Sequence, residues 1–157
     1  MKHIKLTQGK VAIVDDVDFE RLNAFKWYAL KDYNTFYAMR GSRINGRYAR
    51  RRMHRDILNT PVGLETDHIN RNGLDNRREN LRICNGAENR RNTIKRKDNT
   101  SGFKGVAWDR ANSKWQARIK VNSRQLFLGR FTTKELACKA YVDACNYYHG
   151  EFASPTL

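Results

Sequence analysis

The sequence is short of acid. Its 157 residues carry 16 Asp and Glu against 31 Lys and Arg, a formal net charge of +15. An excess of that size, spread through sequence with 11% aromatics, excludes a disordered basic tail and points to a polyanionic partner, of which nucleic acid is the commonest. Long apolar runs are also missing. No stretch approaches the roughly eighteen residues of a membrane span, and no apolar segment of the secretory type follows the N-terminus. A convincing basic amphipathic helix is absent too, which removes the membrane-surface reading. Cysteine is scarce: Cys84, Cys138 and Cys145 form no C-x-x-C pair and are odd in number, so neither a disulfide framework nor a structural zinc is expected. A reducing cytoplasm is the expected compartment.

What is present falls into three segments. In residues 1 to about 60, "HIKLTQGKVAIVDD" reads as two short strands around Gln8-Gly9, with Asp15 and Asp16 placed to cap a helix over "VDFERLNAF". "WYALKDYNTFYAM" reads as a hairpin. Residues 40 to 55 then hold Arg40, Arg43, Arg47, Arg50, Arg51, Arg52 and Arg55 and no acid. A charge run is ordinarily a solvated face, but arginines so poorly compensated favour phosphate contacts. In residues 62 to 97 the order is a short strand "VGLETDHI", a turn-rich loop "NRNGLDNRREN", a second strand "LRICN" and a basic helix "GAENRRNTIKRK". "KDNTSG" is a polar linker, which divides the chain into domains at 1–97 and 98–157.

Beyond the linker, "FKGVAWDR", "KWQARIKV" and "LFLGRF" read as three strands. In the middle one Trp115, Ala117, Ile119 and Val121 alternate with Gln116, Arg118 and Lys120, the period of a half-buried strand. Thr132 and Glu135 form a capping box. Leu136, Ala137, Ala140, Tyr141, Ala144, Cys145 and Tyr148 then fall on one helical face, and Gly150 ends the helix. The whole is an α+β fold: a small mixed α/β unit, a ββα motif, and a three-stranded antiparallel sheet backed by one helix. The helix covers one sheet face, so the face bearing Arg118 and Lys120 meets solvent or a ligand.

The chemistry concentrates in "TDHINRNGLDNRRENLR", residues 66 to 82. Hydrolysis of a phosphodiester needs a base for water and a cation for the departing oxygen. His68 titrates in the right range for the first. Asp67 offers a carboxylate, and Asn89 an amide oxygen, for a hard cation such as Mg²⁺. Adjacent strand residues point to opposite faces, so Asp67 and His68 act from opposite sides of the phosphorus. Asn70, Asn72, Asn76 and Asn80 build the loop, and Asn80 is placed to tie it back near His68 and hold the imidazole. The surrounding Arg77, Arg78, Arg90 and Arg91 join Arg43, Arg47, Arg50, Arg51 and Arg52 as phosphate-binding candidates. On composition alone the chain is a basic nucleic-acid binder; a D-H dipeptide in a polar loop is common, and it is the spacing to Asn80 and Asn89 that singles out this one.

"DHINRNGLDNRRENLR" followed by "AENRRN" resembles the HNH, or ββα-metal, endonuclease motif in its D-H…N…N form. The resemblance implies a divalent cation on Asp67 and Asn89, Mg²⁺ ahead of Mn²⁺, with His68 as general base and Asn80 as loop clamp. "MHRDIL", with His54, also resembles the segment preceding that motif, and His54 reads as structural. Thr93 stands where some relatives carry a further histidine ligand, which argues against tightly held zinc; Asn92 is a weaker ligand candidate. Residues 101 to 153 resemble the AP2/ERF DNA-binding domain. That resemblance implies a sheet in the major groove of double-stranded DNA, with Lys104, Trp108, Arg118, Lys120 and Phe127 as contacts and Arg110, Arg124 and Arg130 as phosphate partners. The expectation is a metal-dependent DNA endonuclease of the homing type, monomeric, with no membrane partner and no small-molecule cofactor. The alternatives are a DNA-binding regulator with a degenerate HNH unit, and a structural phage or RNA-binding protein that works by charge alone.

Overall fold

A computed structural model describes every residue except Asn45, Ile94, Arg96, Thr156 and Leu157, and of Ile44 the backbone alone. The fold is α+β and divides into two units, Met1–Arg90 and Arg91–Leu157. The division falls inside a helix, seven residues before the polar linker that the sequence suggests.

In the first unit β1 (Lys2–Lys5) and β2 (Val11–Val14) pair antiparallel around Gln8 and Gly9, which both take positive φ. Helix α1 (Asp16–Asn23) follows. Asp15 sits at its N-cap but makes no side-chain cap bond; its carboxylate instead accepts the backbone N–H of Arg78 at 2.7 Å. Strands β3 (Tyr28–Asp32), β4 (Thr35–Ile44) and β5 (Arg47–Arg52) form a three-stranded antiparallel sheet with β4 central. Helix α2 (Met53–Leu58) leads from it to the pair β6 (Glu65–His68) and β7 (Leu81–Cys84), and α3 (Gly86–Arg91) closes the unit. One core joins β1, β2, α1, β4, α2 and β7. Ile4, Val14, Leu22, Trp27, Met53, Ile57 and Leu81 pack together from both ends of the unit. Burying each such side chain contributes roughly 1.5–3 kcal/mol, so the N-terminal hairpin and the β6–β7 pair stand or fall together.

In the second unit β8 (Val106–Asp109), β9 (Lys114–Val121) and β10 (Arg124–Phe131) form an antiparallel sheet with β9 in the middle. Helix α4 (Lys134–His149) packs on one face through Ala137, Cys138, Ala140 and Tyr141, against Val106, Ala117, Trp115 and Phe131. The N-cap is Thr133, whose hydroxyl accepts Leu136 N–H, one residue later than the expected Thr132 box. Leu136 is accordingly half exposed rather than core. Close approach to the helix requires glycine at 105. Its φ is +69°, and a Cβ there would lie 2.2 Å from the Tyr141 ring. Among the described residues no helix is long and apolar enough to cross a membrane.

The basic helix expected over residues 86–97 ends at Arg91. Where it ends, the Lys104 ammonium donates to the carbonyls of Arg91 at 3.1 Å and Thr93 at 2.7 Å, and to that of Ser154 at 3.1 Å. Carbonyls at a helix end lack intrahelical partners, and a lysine satisfies them here.

Candidate functional site

The two faces of β6 separate the candidate catalytic groups. Antiparallel register places Asp67 opposite Arg82 and His68 opposite Leu81. Leu81 belongs to the core, so His68 turns inward with it and Asp67 turns to the other side. Glu65, two residues before Asp67, shares the Asp67 face, and the Asn89 amide nitrogen donates to its Oε2 at 2.5 Å. Asn89 therefore reaches the face of β6 that carries Asp67, at the neighbouring Glu65. Asp67 Oδ2 accepts both Nε (2.9 Å) and Nη2 (2.7 Å) of Arg82. This face carries two carboxylates and a carboxamide, oxygen donors that suit a hard cation, beside the buried thiol of Cys84, which pairs with Glu65 across the ladder. Such a cation competes with Arg82 for Asp67. No cluster of three or more His, Cys, Asp and Glu occurs among the described residues, so protein would supply a minority of its ligands.

His68 is only 4% exposed. Its ring meets the His54 ring edge-on at 4.8 Å and the Tyr37 ring at 5.7 Å, and His54 and Tyr37 are themselves in contact at 5.6 Å. Burial drives the His54 pKa down to about 2, with the neighbouring His68 and the guanidinium of Arg52 acting in the same direction. Burial lowers the pKa of His68 too, opposed in part by its hydrogen bond to Asn76 and by Asp67. Both rings are neutral at pH 7, the form in which an imidazole can accept a proton.

The loop between β6 and β7 is tied by its amides. Asn80 Oδ1 accepts Asn70 N–H at 2.9 Å, Asn80 Nδ2 donates to the Asp75 carbonyl at 2.7 Å, and its own carbonyl accepts Ile69 N–H at 2.9 Å. Asn80 thus clamps the two ends of the loop through backbone. The side chain against the imidazole is Asn76, not Asn80, with Oδ1 3.3 Å from His68 Nε2. An asparagine at the start of β7 reaches the chain across the ladder, whereas Asn76 lies under the ring. Residues 1–50 supply the platform: Ile13 N–H donates to Leu74 O and Asn76 N–H to Ile13 O, each at 2.8 Å, and Gly73 N–H donates to Thr35 Oγ1 at 3.0 Å.

Several basic residues expected to meet phosphate are occupied within the fold. Arg78 makes a two-pronged contact with Asp18, Nε to Oδ2 at 2.7 Å and Nη2 to Oδ1 at 2.9 Å, and Arg77 pairs with Asp75 at 2.8 Å. Both carboxylates are buried, and a buried charge without a partner is costly, so these two arginines serve the fold. In the arginine-rich stretch Arg40 and Arg51 share Asp56, Arg52 pairs with Asp32, and Arg55 donates to the carbonyls of Thr60, Pro61 and Leu64. Arg43, Arg47 and Arg50 are exposed on the β4–β5 ribbon. Arg50, Arg51 and Arg52 border an open cleft of about 1000 Å³ with Arg40 and Arg55, and Arg52 also lies over the Tyr37 ring at 5.2 Å. The ribbon's charge is therefore joined to the His68 pocket through one aromatic ring. Arg90 is exposed beside Gly86, and Arg91 is half-buried.

In the second unit, register puts Arg118 opposite Phe127, Lys120 opposite Gln125, and Gln116 between Ala107 and Arg130, all on the sheet face away from α4. Phe127 is 51% exposed and lies within 5.9 Å of the Arg118 guanidinium and 5.2 Å of that of Arg130. Arg130 also pairs with Asp109 at 2.7 Å. Arg110 and Arg124 are exposed. Two expected contacts are corrected. Trp108 pairs across the strands with Trp115, which packs with the helix-facing core, so it lies on the covered side of the sheet despite being half exposed. Lys104 precedes the sheet and is held by the three carbonyls named above. The sequence shows Asn76 only as a loop-builder and Gln116 only as a polar alternating position, and does not single out Glu65, Tyr37 or Gln125. Face parity alone could have found Glu65 and the two glutamines; Tyr37 and the contact of Asn76 with His68 arise only in three dimensions.

No family model matches the chain, and no solved structure matches it. A curated relative, Protein 3.8 of Escherichia phage T7, is 35% identical over 65 residues, which is 41% of this chain and 54% of that protein. The chain thus spans about half the length of the relative it matches. The similarity is to a phage protein whose name states no activity.

Proposed function

We propose that the chain is a metal-dependent endonuclease of the HNH type acting on double-stranded DNA, with an AP2/ERF-like second unit that supplies duplex affinity. One observation carries this reading: β6 presents Asp67 on one face, where Asn89 of α3 reaches its neighbour Glu65, and His68 on the other, with the connecting loop pinned by Asn80. Asp67 and Asn89 would hold a hard divalent cation, Mg²⁺ ahead of Mn²⁺, which would supply Lewis-acid stabilisation of the charge that develops on the leaving oxygen. His68, neutral at working pH, takes the proton of the attacking water. Arg43, Arg47 and Arg50 bind backbone phosphate beside the site. In the second unit Arg118, Lys120 and Phe127 face the groove, and Arg110, Arg124 and Arg130 flank it. Phosphate contacts set affinity and its salt dependence, and base-edge contacts set preference.

Plasmid cleavage in Mg²⁺ tests the reading. His68→Ala is expected to abolish cutting, a loss on the order of 10²–10⁴-fold for a general base, with duplex affinity retained. Equal cutting by wild type and His68→Ala refutes the assignment of the base. A second reading has one observation in its favour: Asp67 is paired with Arg82 and His68 is buried, as in a DNA-binding regulator whose nuclease unit is degenerate. That reading requires duplex binding with no Mg²⁺-dependent cleavage.

A further inference from the structure

Six arginines line the open cleft beside the β4–β5 ribbon, and Asp56 is the one acid among its described lining residues. Arg40 and Arg51 share that carboxylate, while Arg50 makes no ion pair among the described residues. The excess of positive charge calls for an anion. The lining is also apolar in part: Leu30, Met39 and Phe25 belong to it, and Phe25 is 46% exposed. Phe25 follows the end of α1, where its N–H donates to Leu22 O at 3.2 Å. The Arg40 guanidinium lies 4.0 Å from its ring centroid and is itself held by Asp56 Oδ2, through Nε at 3.2 Å and Nη2 at 3.0 Å. The ring is thus backed by a fixed cation and keeps the rest of its surface open to solvent.

A chain of phosphates needs only the arginines. A ring set among them adds a surface for a flat, apolar partner, and a polynucleotide with unpaired bases supplies both at every nucleotide. Size separates the single strand from the duplex. A cleft of about 1000 Å³ measures roughly 10 Å each way if it is as wide as it is deep, less than the approximately 12 Å of a duplex's major groove alone. A duplex therefore meets only the rim, where its paired bases cannot reach Phe25.

We propose that this cleft binds an unpaired DNA strand, with a base stacked on Phe25 and phosphates on Arg50 and Arg51. The proposal goes beyond the nuclease reading and does not rest on it, since binding here uses neither a cation nor His68. The two are neighbours all the same. Thr60 lines the cleft, and its hydroxyl hydrogen-bonds that of Thr66, the residue before Asp67.

The experiment is fluorescence anisotropy on the full chain with two labelled strands of about eight nucleotides, oligothymidine and an abasic strand of the same length and charge. Wild type is expected to bind the oligothymidine more tightly. Phe25→Ala lowers that affinity about 5–150-fold, the usual loss of one stacked base, and leaves the abasic strand unchanged; Phe25→Trp restores it. Arg50→Ala with Arg51→Ala reduces the slope of log affinity against log salt by about 1.4 on both strands, two phosphates' worth. In wild type, a strand carrying 5-iodouracil cross-links to Phe25 on irradiation, located by mass spectrometry of the digest. Equal affinity of wild type for the two strands overturns the proposal, because charge alone then explains binding, and needs no variant to fold. So do cross-links confined to the second unit, where Phe127 is the other half-exposed ring beside arginines. A Phe25→Ala chain with a native urea midpoint and an undiminished preference for oligothymidine has the same consequence. A chain that cuts no duplex in Mg²⁺ sinks the nuclease reading instead, and the strand measurements still decide the assignment of the cleft.

Discussion

Arg78 separates a structural role from a DNA-contact role, because its removal should act on stability and not on affinity. Asp18, 2% exposed, is held by two bonds from Arg78 and one of 2.8 Å from Arg21. Burial works to raise the Asp18 pKa, but the hydrogen bonds from Arg78 and then Arg21 outweigh it, and the net direction is down. Breaking a buried pair by removing one partner costs about 3–5 kcal/mol. Arg21 remains, and the Arg78 side chain is 48% exposed, so the lower part of that range applies. The bond from Arg78 to Ile57 O at 3.3 Å adds roughly 0.5–1 kcal/mol. Arg78→Ala should therefore destabilise the first unit by about 3.5–4 kcal/mol. With a urea slope of roughly 1–1.5 kcal/mol/M for a unit of this size, the midpoint falls by about 2–4 M. Urea denaturation, with hydrogen exchange over residues 1–90 to assign the transition, measures it. Salt-dependent duplex affinity below the transition should be unchanged. Replacing both partners with apolar side chains, Arg78→Met with Asp18→Leu, should restore most of the loss, since no buried charge is then left unpaired. A loss under about 1 kcal/mol together with a reduced salt slope would return Arg78 to the phosphate-binding set and refute the argument.

Three further outcomes follow from the geometry. Arg118→Ala with Lys120→Ala should lower the slope of log affinity against log salt by about 0.9 for each phosphate no longer neutralised, read by fluorescence anisotropy at several salt concentrations; an unchanged slope removes the open sheet face from the interface. Gly105→Ala combines a positive φ with a Cβ inside the Tyr141 ring, and should cost roughly 2–4 kcal/mol by thermal or urea denaturation of the second unit. Acid stability should follow His54. Its folded-state pKa, about 2, lies below the ordinary histidine value of 6.5, so the unfolded chain takes up the proton first. Stability is intact above about pH 6.5 and declines below it, by about 1.4 kcal/mol per pH unit for one such group. His68 and His149, also lowered by burial, act in the same direction. His54→Gln should flatten the decline between pH 6 and 5 by about one proton's worth; an identical slope would mean that His54 titrates normally in the folded chain.

The hairpin expected at Gln8-Gly9 forms because both turn positions accept positive φ, and β9 has the alternation read from Trp115 to Val121 because one of its faces is covered. These are local properties, written in residues a few positions apart. The strand, loop, strand, helix order of residues 62–97 is of the same kind, although the helix stops at Arg91, whose carbonyl accepts from Lys104. The Thr132 box failed by one residue, within the range over which two adjacent threonines compete for one cap.

By itself the sequence determined the α+β class, the excess of positive charge, the opposite orientation of Asp67 and His68, and the clamp residue Asn80, since each follows from composition, alternation or turn chemistry. The tertiary structure decided which charges are spent inside the fold. Arg77 and Arg78 look like phosphate ligands in one dimension, and Lys104 like a groove contact, but their partners Asp75, Asp18 and the carbonyls around Arg91 are recognisable only when chain folding brings them into contact. It also put Asn76, rather than Asn80, beneath the imidazole and Glu65 beside Asn89. Spacing along a chain fixes which side of a strand a residue faces; what waits on that side depends on the packing of elements distant in sequence.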